Sequence, residues 1–503
     1  MKLKKYLATS LACALVLPLA WTYIQAEEAD DEPETEDSAE DIDEESEVDE
    51  DEVNDGLFEV KDLQGITLRY LNAGRGSELN PGAADLKPED VEERQEFIDE
   101  LEKKWNVKLE FPEPPNVEWK EVPDAMAKAH AAGAPIADIM DLSRTYLPKL
   151  VRNNAIEDMT DVLSDHQIAE RYLDIMTFAG KIYGVAPFVG GEGLYYNRKM
   201  INDAGMEKTP SEMFVEGKWS YSDFLAYLEE LSAKLPKDSK PFYIDPYYWM
   251  IFAPAANGGR LIDTDGKVHY TDPSMIETLD LLVQLKNKGL LFDPIKDEKG
   301  DPDYWSTPAQ TFEKGSQVAM CHRASWQAEG LVDKIEFGFV PYPWGDNIKL
   351  EATGEKAYLE LPPEYQVTVY DGAAFMLRAG IEELGNKADI MDFLIVSSGQ
   401  SYMRREYFVT KGEMDPPEKE YDPRFFSNEL DVELFDWSLS RERFEPYPSL
   451  AGNLELADKY YEAIDGKSSV RAILEAQAAA DQAALDKIYG RSADEAESEA
   501  SEK

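Results

Sequence analysis

Four histidines, His130, His166, His269 and His322, are scattered along the 503 residues, and none stands at a metal-ligand spacing from another. Asp263-x-Asp265-Gly266 resembles part of a calcium loop but lacks the remaining ligands, and reads as a turn. No Gly-x-Ser-x-Gly, phosphate-binding loop or dinucleotide fingerprint appears. Paired carboxylates are unavoidable among 102 acidic residues, so they do not argue for a hydrolase. The expectation is no catalytic residue, no metal and no cofactor. What stands out suits non-covalent chemistry. Trp249 and Tyr247 lie in "DPYYWMIFAPAANGG", a stretch too aromatic for an ordinary loop, with Asn257 before its Gly-Gly. Arg144 stands near Asp141 and Tyr146, and a planar guanidinium suits two adjacent hydroxyls or a carboxylate. Flat aromatics stack on apolar ring faces, while Asp, Glu, Asn and Arg bond hydroxyls in pairs. Each candidate also has a plainer reading: core packing for the aromatics, a turn for Asn257, a surface ion pair for Arg144.

Such side chains need elements to hold them. "GITLRYL" (Gly65 to Leu71) and "VKLEF" (Val107 to Phe111) read as strands. Between them Pro88 opens a helix that places Val91, Ile98, Leu101 and Trp105 near one face. Trp119 to Ala132 reads as a second helix and "IADIMDL" (Ile136 to Leu142) as a third strand. This alternation predicts parallel strands with right-handed crossovers, and a ligand beyond their carboxyl ends, near Asn72 to Gly76 and Asp141 to Tyr146. Further on, Ser220 and Asp223 predict a capping box before "FLAYLEEL", and Asp272-Pro273 opens a helix that stops at Gly289. Another helix ends at Gly315 before the strand "QVAMC".

The net charge of −51 makes nucleic acid a poor partner, since neutralising phosphates takes clustered Lys and Arg. Much of that charge is local. Glu27 to Asp55 holds nearly twenty acids and no base, and is expected to be a disordered spacer, as is the acidic tail 491–503. Ahead of the spacer, Lys2, Lys4 and Lys5 precede an apolar run from Leu7 to Leu19, with Ile24-Gln25-Ala26 as a cleavage site. Residues 1–26 therefore read as an export signal, the alternative being a retained anchor. Cys13 sits in a poor lipidation context, which leaves Cys321 as the only mature cysteine and no intrachain disulfide.

Four segments carry a resemblance. "AHAAGAPIADIMDL", "GKIYGVAPFVGGEGLYYNRKMINDAG", "FEKGSQVAMCHRASW" and "YYEAIDGKSSVRAILEAQAAADQAAL" follow one another as do the segments of the extracellular solute-binding proteins of ATP-driven (ABC) importers. The chain resembles their sugar-binding group, which includes maltose-binding protein. The resemblance implies an α/β, two-lobed periplasmic-binding-protein (type II) fold with ligand in an interlobe cleft that closes about a hinge. The expected boundaries are an acidic linker over 27–56, a first lobe from 57–188 and 336–400, and a second from 189–335 and 401–490.

It also implies function: an exported, periplasmic or cell-surface monomer that captures a carbohydrate and hands it to a membrane permease, without enzymatic activity. Trp326 matches the family's Trp after the Ala-Met strand and is the favoured platform. Gly190, Gly191 and Gly193 are the expected hinge. Glu192, Arg75, Trp344 and Trp437 are further candidates for the cleft. Two alternatives remain. One is a peptide-like or acidic solute, suggested by Arg144, Arg75 and Arg323. The other is an exported carbohydrate-active enzyme.

Overall fold

The structure, a computed structural model, describes residues 56–491 apart from 73–78, 80, 82–87, 118–120, 187–190, 333, 370–372, 415–425, 427 and 451–453. The export signal, most of the spacer and the tail after Arg491 lie outside the described residues, as do Arg75 and Gly190. Among the described residues no helix is long and apolar enough to cross a membrane.

In chain order the elements used below are β1 (Ile66–Asn72), α1 (Pro88–Trp105), β2 (Val107–Glu110), α2 (Val122–Ala131), β3 (Ile139–Ser143), β4 (Gly193–Asn197), α3 (Tyr221–Lys234), β5 (Lys240–Tyr243), α4 (Pro246–Phe252), α5 (Pro273–Asn287), β6 (Val318–Arg323), β7 (Phe337–Val340), β8 (Val367–Val369), β9 (Ala373–Leu377), α6 (Glu429–Leu439), β10 (Glu442–Phe444) and α7 (Val470–Tyr489). Contacts divide the chain into two compact units, 1–142 with 161–169 and 375–416, and 143–160 with 170–374 and 417–503.

In the first unit β1 pairs in parallel with β2 and with β3, as the strand–helix alternation predicts. The strands stand in the order β2-β1-β3-β9. β2 shows why four residues suffice: Val107 and Leu109 are buried while Lys108 and Glu110 face water. On α1, Ile98, Leu101 and Trp105 are buried, but Val91 is 36% exposed and falls outside the predicted stripe. Trp105 packs edge-on to Phe393 at 5.5 Å. Full burial of a side chain of this size contributes about 1.5–3 kcal/mol.

The second unit is built on a four-stranded sheet in the order β7-β4-β6-β5. β4 is antiparallel to both β6 and β7, whereas β5 and β6 run parallel. The capping box at Ser220 and Asp223 starts α3 as predicted. Asp272 caps α5 by backbone position alone, with Pro273 at its first turn. Cys321 lies in β6, fully buried, and burial pushes its thiol up to about 12.

The unit boundaries differ from those expected. Residues 336–374 belong to the second unit because β7 pairs with β4 and β8 pairs with β10. Residues 401–416 belong to the first, where Met403 O accepts from Ala169 N. These pairings join positions far apart in sequence, which local patterns do not reveal.

Asp263 does make a turn: its Oδ1 accepts from Lys267 N at 2.8 Å, and its backbone carbonyl from Gly266 N at 2.9 Å. The end of α7 docks here. Val268 N donates to Gln482 Oε1 at 2.9 Å, and the Tyr489 ring lies against Gly266 (φ 75°), so close that a Cβ there would come within 2.5 Å of it. His269 closes the turn, with Nε2 3.1 Å from Asp263 Oδ2 and Nδ1 3.2 Å from Asp272 Oδ2. The Asp263 hydrogen bond raises the imidazole pKa despite partial burial. A raised folded-state pKa means that this stabilisation is complete below the unfolded value of about 6.5 and is lost as pH rises through the folded one. The thermal midpoint is therefore expected to fall across that window in the wild type. His269→Gln should flatten this part of the pH profile, and calorimetry at a series of pH values checks it.

Candidate ligand site

The parallel pair β5 and β6 ends beside a small pocket, consistent with the rule that ligands of such strands collect at their carboxyl ends. Its empty space is about 310 Å³, part of it open to solvent. The floor comes from Tyr243, Ile244, His322 and Arg323 at the strand ends; Asp245 and Tyr248 come from the start of α4. The rim is Tyr304, Trp305 and Pro308, with Gln327 opposite.

Asp245 caps α4, accepting from Tyr247 N at 2.9 Å and from the Tyr461 hydroxyl. Burial raises its pKa, against the lowering effect of those bonds. The rim is held by its own turn: Ser306 N donates to Asp303 Oδ1 at 2.9 Å, and Tyr243 Oη donates to Tyr304 O at 2.8 Å. Tyr304 packs on Tyr461 at 5.1 Å. Trp305 is left 65% exposed, which is unusual for the largest apolar side chain.

The His322 ring is tilted against Tyr248 at 5.0 Å and stacked on Phe252 at 4.6 Å. Tyr342 Oη lies 2.8 Å from His322 Nδ1, and Glu192 Oε2 lies 3.3 Å from Nε2. Burial, with Arg323 adding to it, pushes the imidazole down to about 3, and burial raises Glu192 well above the usual carboxylate range. His322 is therefore uncharged near neutrality, and burial shifts Glu192 towards its neutral form. Arg323 is 5% exposed; Nη2 donates to Glu313 Oε1 at 2.6 Å, and its buried Nε has no partner among the described residues. Glu313 also pairs with Lys334 at 3.1 Å.

The sequence-predicted residues are distributed as follows. Trp326 lies in the short helix Ser325–Ala328, and its side chain is outside the described residues. Trp249 is fully buried, its indole N–H donating to Thr278 O at 2.9 Å. Asn257 is a buried tie: Nδ2 donates to Glu277 Oε2 at 2.8 Å and Oδ1 accepts from Gly345 N at 3.1 Å. Trp344 is buried against Phe214, and Trp437 joins the same aromatic cluster with Tyr358 and Tyr365. Arg144 is buried over the Phe444 ring at 4.6 Å and donates to Ile175 O. Tyr146 is buried, as is Asp141, which Tyr70 Oη approaches at 3.4 Å. Tyr247 is half-buried against Tyr248, one residue from the pocket, and Glu192 stands behind its floor. None of those whose side chains are described lines this pocket.

Gly191 and Gly193 both lie inside the second unit rather than at a boundary between units. Gly191 has φ 79°, and a Cβ there would strike the Phe435 ring and come within 2.8 Å of Ser325 Cβ. At Gly193 it would strike Phe339. Both glycines allow close packing. Gly191→Ala is expected to destabilise the protein by about 1–3 kcal/mol, readable by chemical denaturation.

Tyr304 and Trp305 were not legible as site residues. "DPDYWSTP" carries a local signal, an aromatic pair between turn formers, but nothing local tells that it faces the ends of two strands.

The arrangement defines a class: two α/β units, one with a strand-end pocket of aromatic and hydrogen-bonding side chains, as in proteins that capture small solutes. The sequence profile of the bacterial extracellular solute-binding protein family matches residues 96–383, and the chain belongs to that family. The family is one of bacterial extracellular proteins that bind solutes. The chain is 22% identical over 297 residues to an uncharacterised ABC transporter extracellular-binding protein of Pyrococcus horikoshii, a match covering 57% of this chain and 63% of that one. Solved structures share the fold. The cyclic α-maltosyl-1,6-maltose binding protein of Arthrobacter globiformis is 16% identical, with TM-score 0.57 over 84% of this chain and 99% of that one. The galacto-N-biose/lacto-N-biose I-binding protein of Bifidobacterium longum is 15% identical, with TM-score 0.57 over 85% and 99%.

Proposed function

We propose that the protein captures a carbohydrate, an oligosaccharide in particular, for an importer, and that the strand-end pocket is one wall of its binding site. The observation that carries this reading is Trp305, held exposed on a rim beside Tyr304 and above Tyr248. An aromatic face offers stacking to the apolar face of a sugar ring, while Asp245, Arg323 and Gln327 offer acceptors and donors to its hydroxyls. The pocket alone is too small to enclose a ligand of that size, so it serves one end or one face of it. Two fold neighbours bind oligosaccharides by name, which agrees with this reading. The N-terminal apolar segment would deliver the chain across the membrane or hold it there.

A second reading, an acidic or peptide-like solute, rests on the unpartnered Nε of Arg323. A panel of maltodextrins, cyclic glucans, β-linked disaccharides, uronates and peptides separates the two. Tryptophan fluorescence and thermal shift should report saturable binding of a neutral glycan, with stabilisation growing as the logarithm of ligand concentration. The glycan should be recovered intact after long incubation. A response confined to uronates or peptides would favour the second reading, and breakdown of the glycan would point to an enzyme.

A further inference from the structure

We propose that Arg260 and Arg443 form an oxyanion site on the second unit, separate from the strand-end pocket, which takes a phosphate, sulfate or carboxylate group. The two are brought together by β10. Alternate residues of a strand share a face, so Arg443 and the residue two beyond it, Glu445, reach the same stretch of chain. Arg443 Nη2 donates to Gly259 O, the residue before Arg260. Glu445 Oε2 accepts from Leu261 N at 2.9 Å and Oε1 from Ile262 N at 3.2 Å, the two residues after it. Arg260 is thus flanked on both sides by contacts from β10 and the residue that follows it.

Two guanidiniums face Glu445, whose carboxylate already holds three backbone amides, the third from Tyr447 N at 3.0 Å, while Asp263 feels the charge of Arg260 without forming an ion pair with it. Nε of Arg260 and Nε of Arg443 are both buried without a hydrogen-bond partner, and no ion pair joins either residue among the described residues. In a chain with 102 acids against 51 bases, two neighbouring arginines without an ion pair are unexpected. A buried guanidinium left unmet is costly, and its planar fork matches the geometry of an oxyanion. Burial and the nearby Arg260 depress the Arg443 pKa to about 10, as two crowded cations require.

The test uses the exported chain without any sugar, so its outcome is independent of the carbohydrate reading. Thermal midpoints are measured against sodium phosphate, sulfate and acetate, each matched in ionic strength by sodium chloride. The midpoint of the wild type should rise with the logarithm of anion concentration beyond the chloride control. Arg260→Gln, which gives up no hydrogen bond found among the described residues, should weaken that response at least about tenfold. Arg443→Gln should do the same. Arg471→Gln, on an exposed face of α7, removes equal charge and should leave it intact. A response to phosphate and sulfate assigns a tetrahedral oxyanion, and a response to acetate alone assigns a carboxylate-bearing solute. Equal shifts in chloride and the test anions, or a full response in Arg260→Gln, would overturn the proposal. If a variant does not fold, equilibrium dialysis of labelled phosphate against the wild type decides by the presence or absence of saturable binding.

Discussion

Replacing Trp305 with alanine is expected to weaken ligand binding roughly 30-fold, about 2 kcal/mol, with a stability change within about 0.5 kcal/mol. The two effects separate because the indole is 65% exposed and takes little part in the core. Its neighbours hold the rim without it: Tyr304 through Tyr243 and Tyr461, and the turn through Asp303. Trp305→Phe should recover part of the affinity, since a smaller aromatic face still stacks. Titration calorimetry with the best glycan of the panel, beside a denaturation curve, measures both quantities. An alanine variant that binds as tightly as the wild type would remove the rim from the site.

Asp138→Ala should produce the largest loss of stability, about 3–5 kcal/mol, concentrated in the first unit. Asp138 is 1% exposed and ends the family-like segment "GAPIAD". It accepts from Arg69 N at 3.0 Å, Arg69 Nε at 2.9 Å, Arg69 Nη2 at 2.8 Å and Arg378 Nε at 2.6 Å. Arg69 lies on β1 and Arg378 directly follows β9, so one carboxylate ties strands on both sides of β3. Without it two guanidiniums lose their shared counter-charge. Burial alone would raise the carboxyl pKa, but the arginine hydrogen bonds outweigh it and hold it below the usual value. With a depressed folded pKa, the stabilisation is present above the unfolded value of about 3.9 and is lost as pH falls through the folded one. Hydrogen exchange of β1 and β3 amides should therefore accelerate in Asp138→Ala near neutrality, and in the wild type only under strong acid.

What could be read in advance follows the range of the forces involved. β2 and the capped start of α3 were legible because each is fixed by a few adjacent residues: the Val107/Leu109 alternation and the Ser220–Asp223 pair. The parallel pairing of β1 with β2 and β3 followed from the helices between them. The pocket was hidden. It needs Tyr243 beside Cys321, with Trp305 delivered by a turn between them, and no periodicity encodes that meeting. Aromatic clustering pointed instead at Trp249, where density of rings marks a core. The family resemblance carried the architecture further than it carried the site, because the pocket's rim lies outside the four shared segments.

Cys321 is the one free cysteine among the described residues, and it is sealed within a central strand next to the pocket floor. Its thiol, pushed up to about 12, is almost wholly protonated and shielded from reagents near neutrality. In a chain without the N-terminal segment that carries Cys13, Tyr304→Cys or Gln327→Cys would therefore take up a maleimide dye selectively, with Cys321 left in place. The folded chain is already suited to serve as a single-label optical sensor for whatever solute it captures.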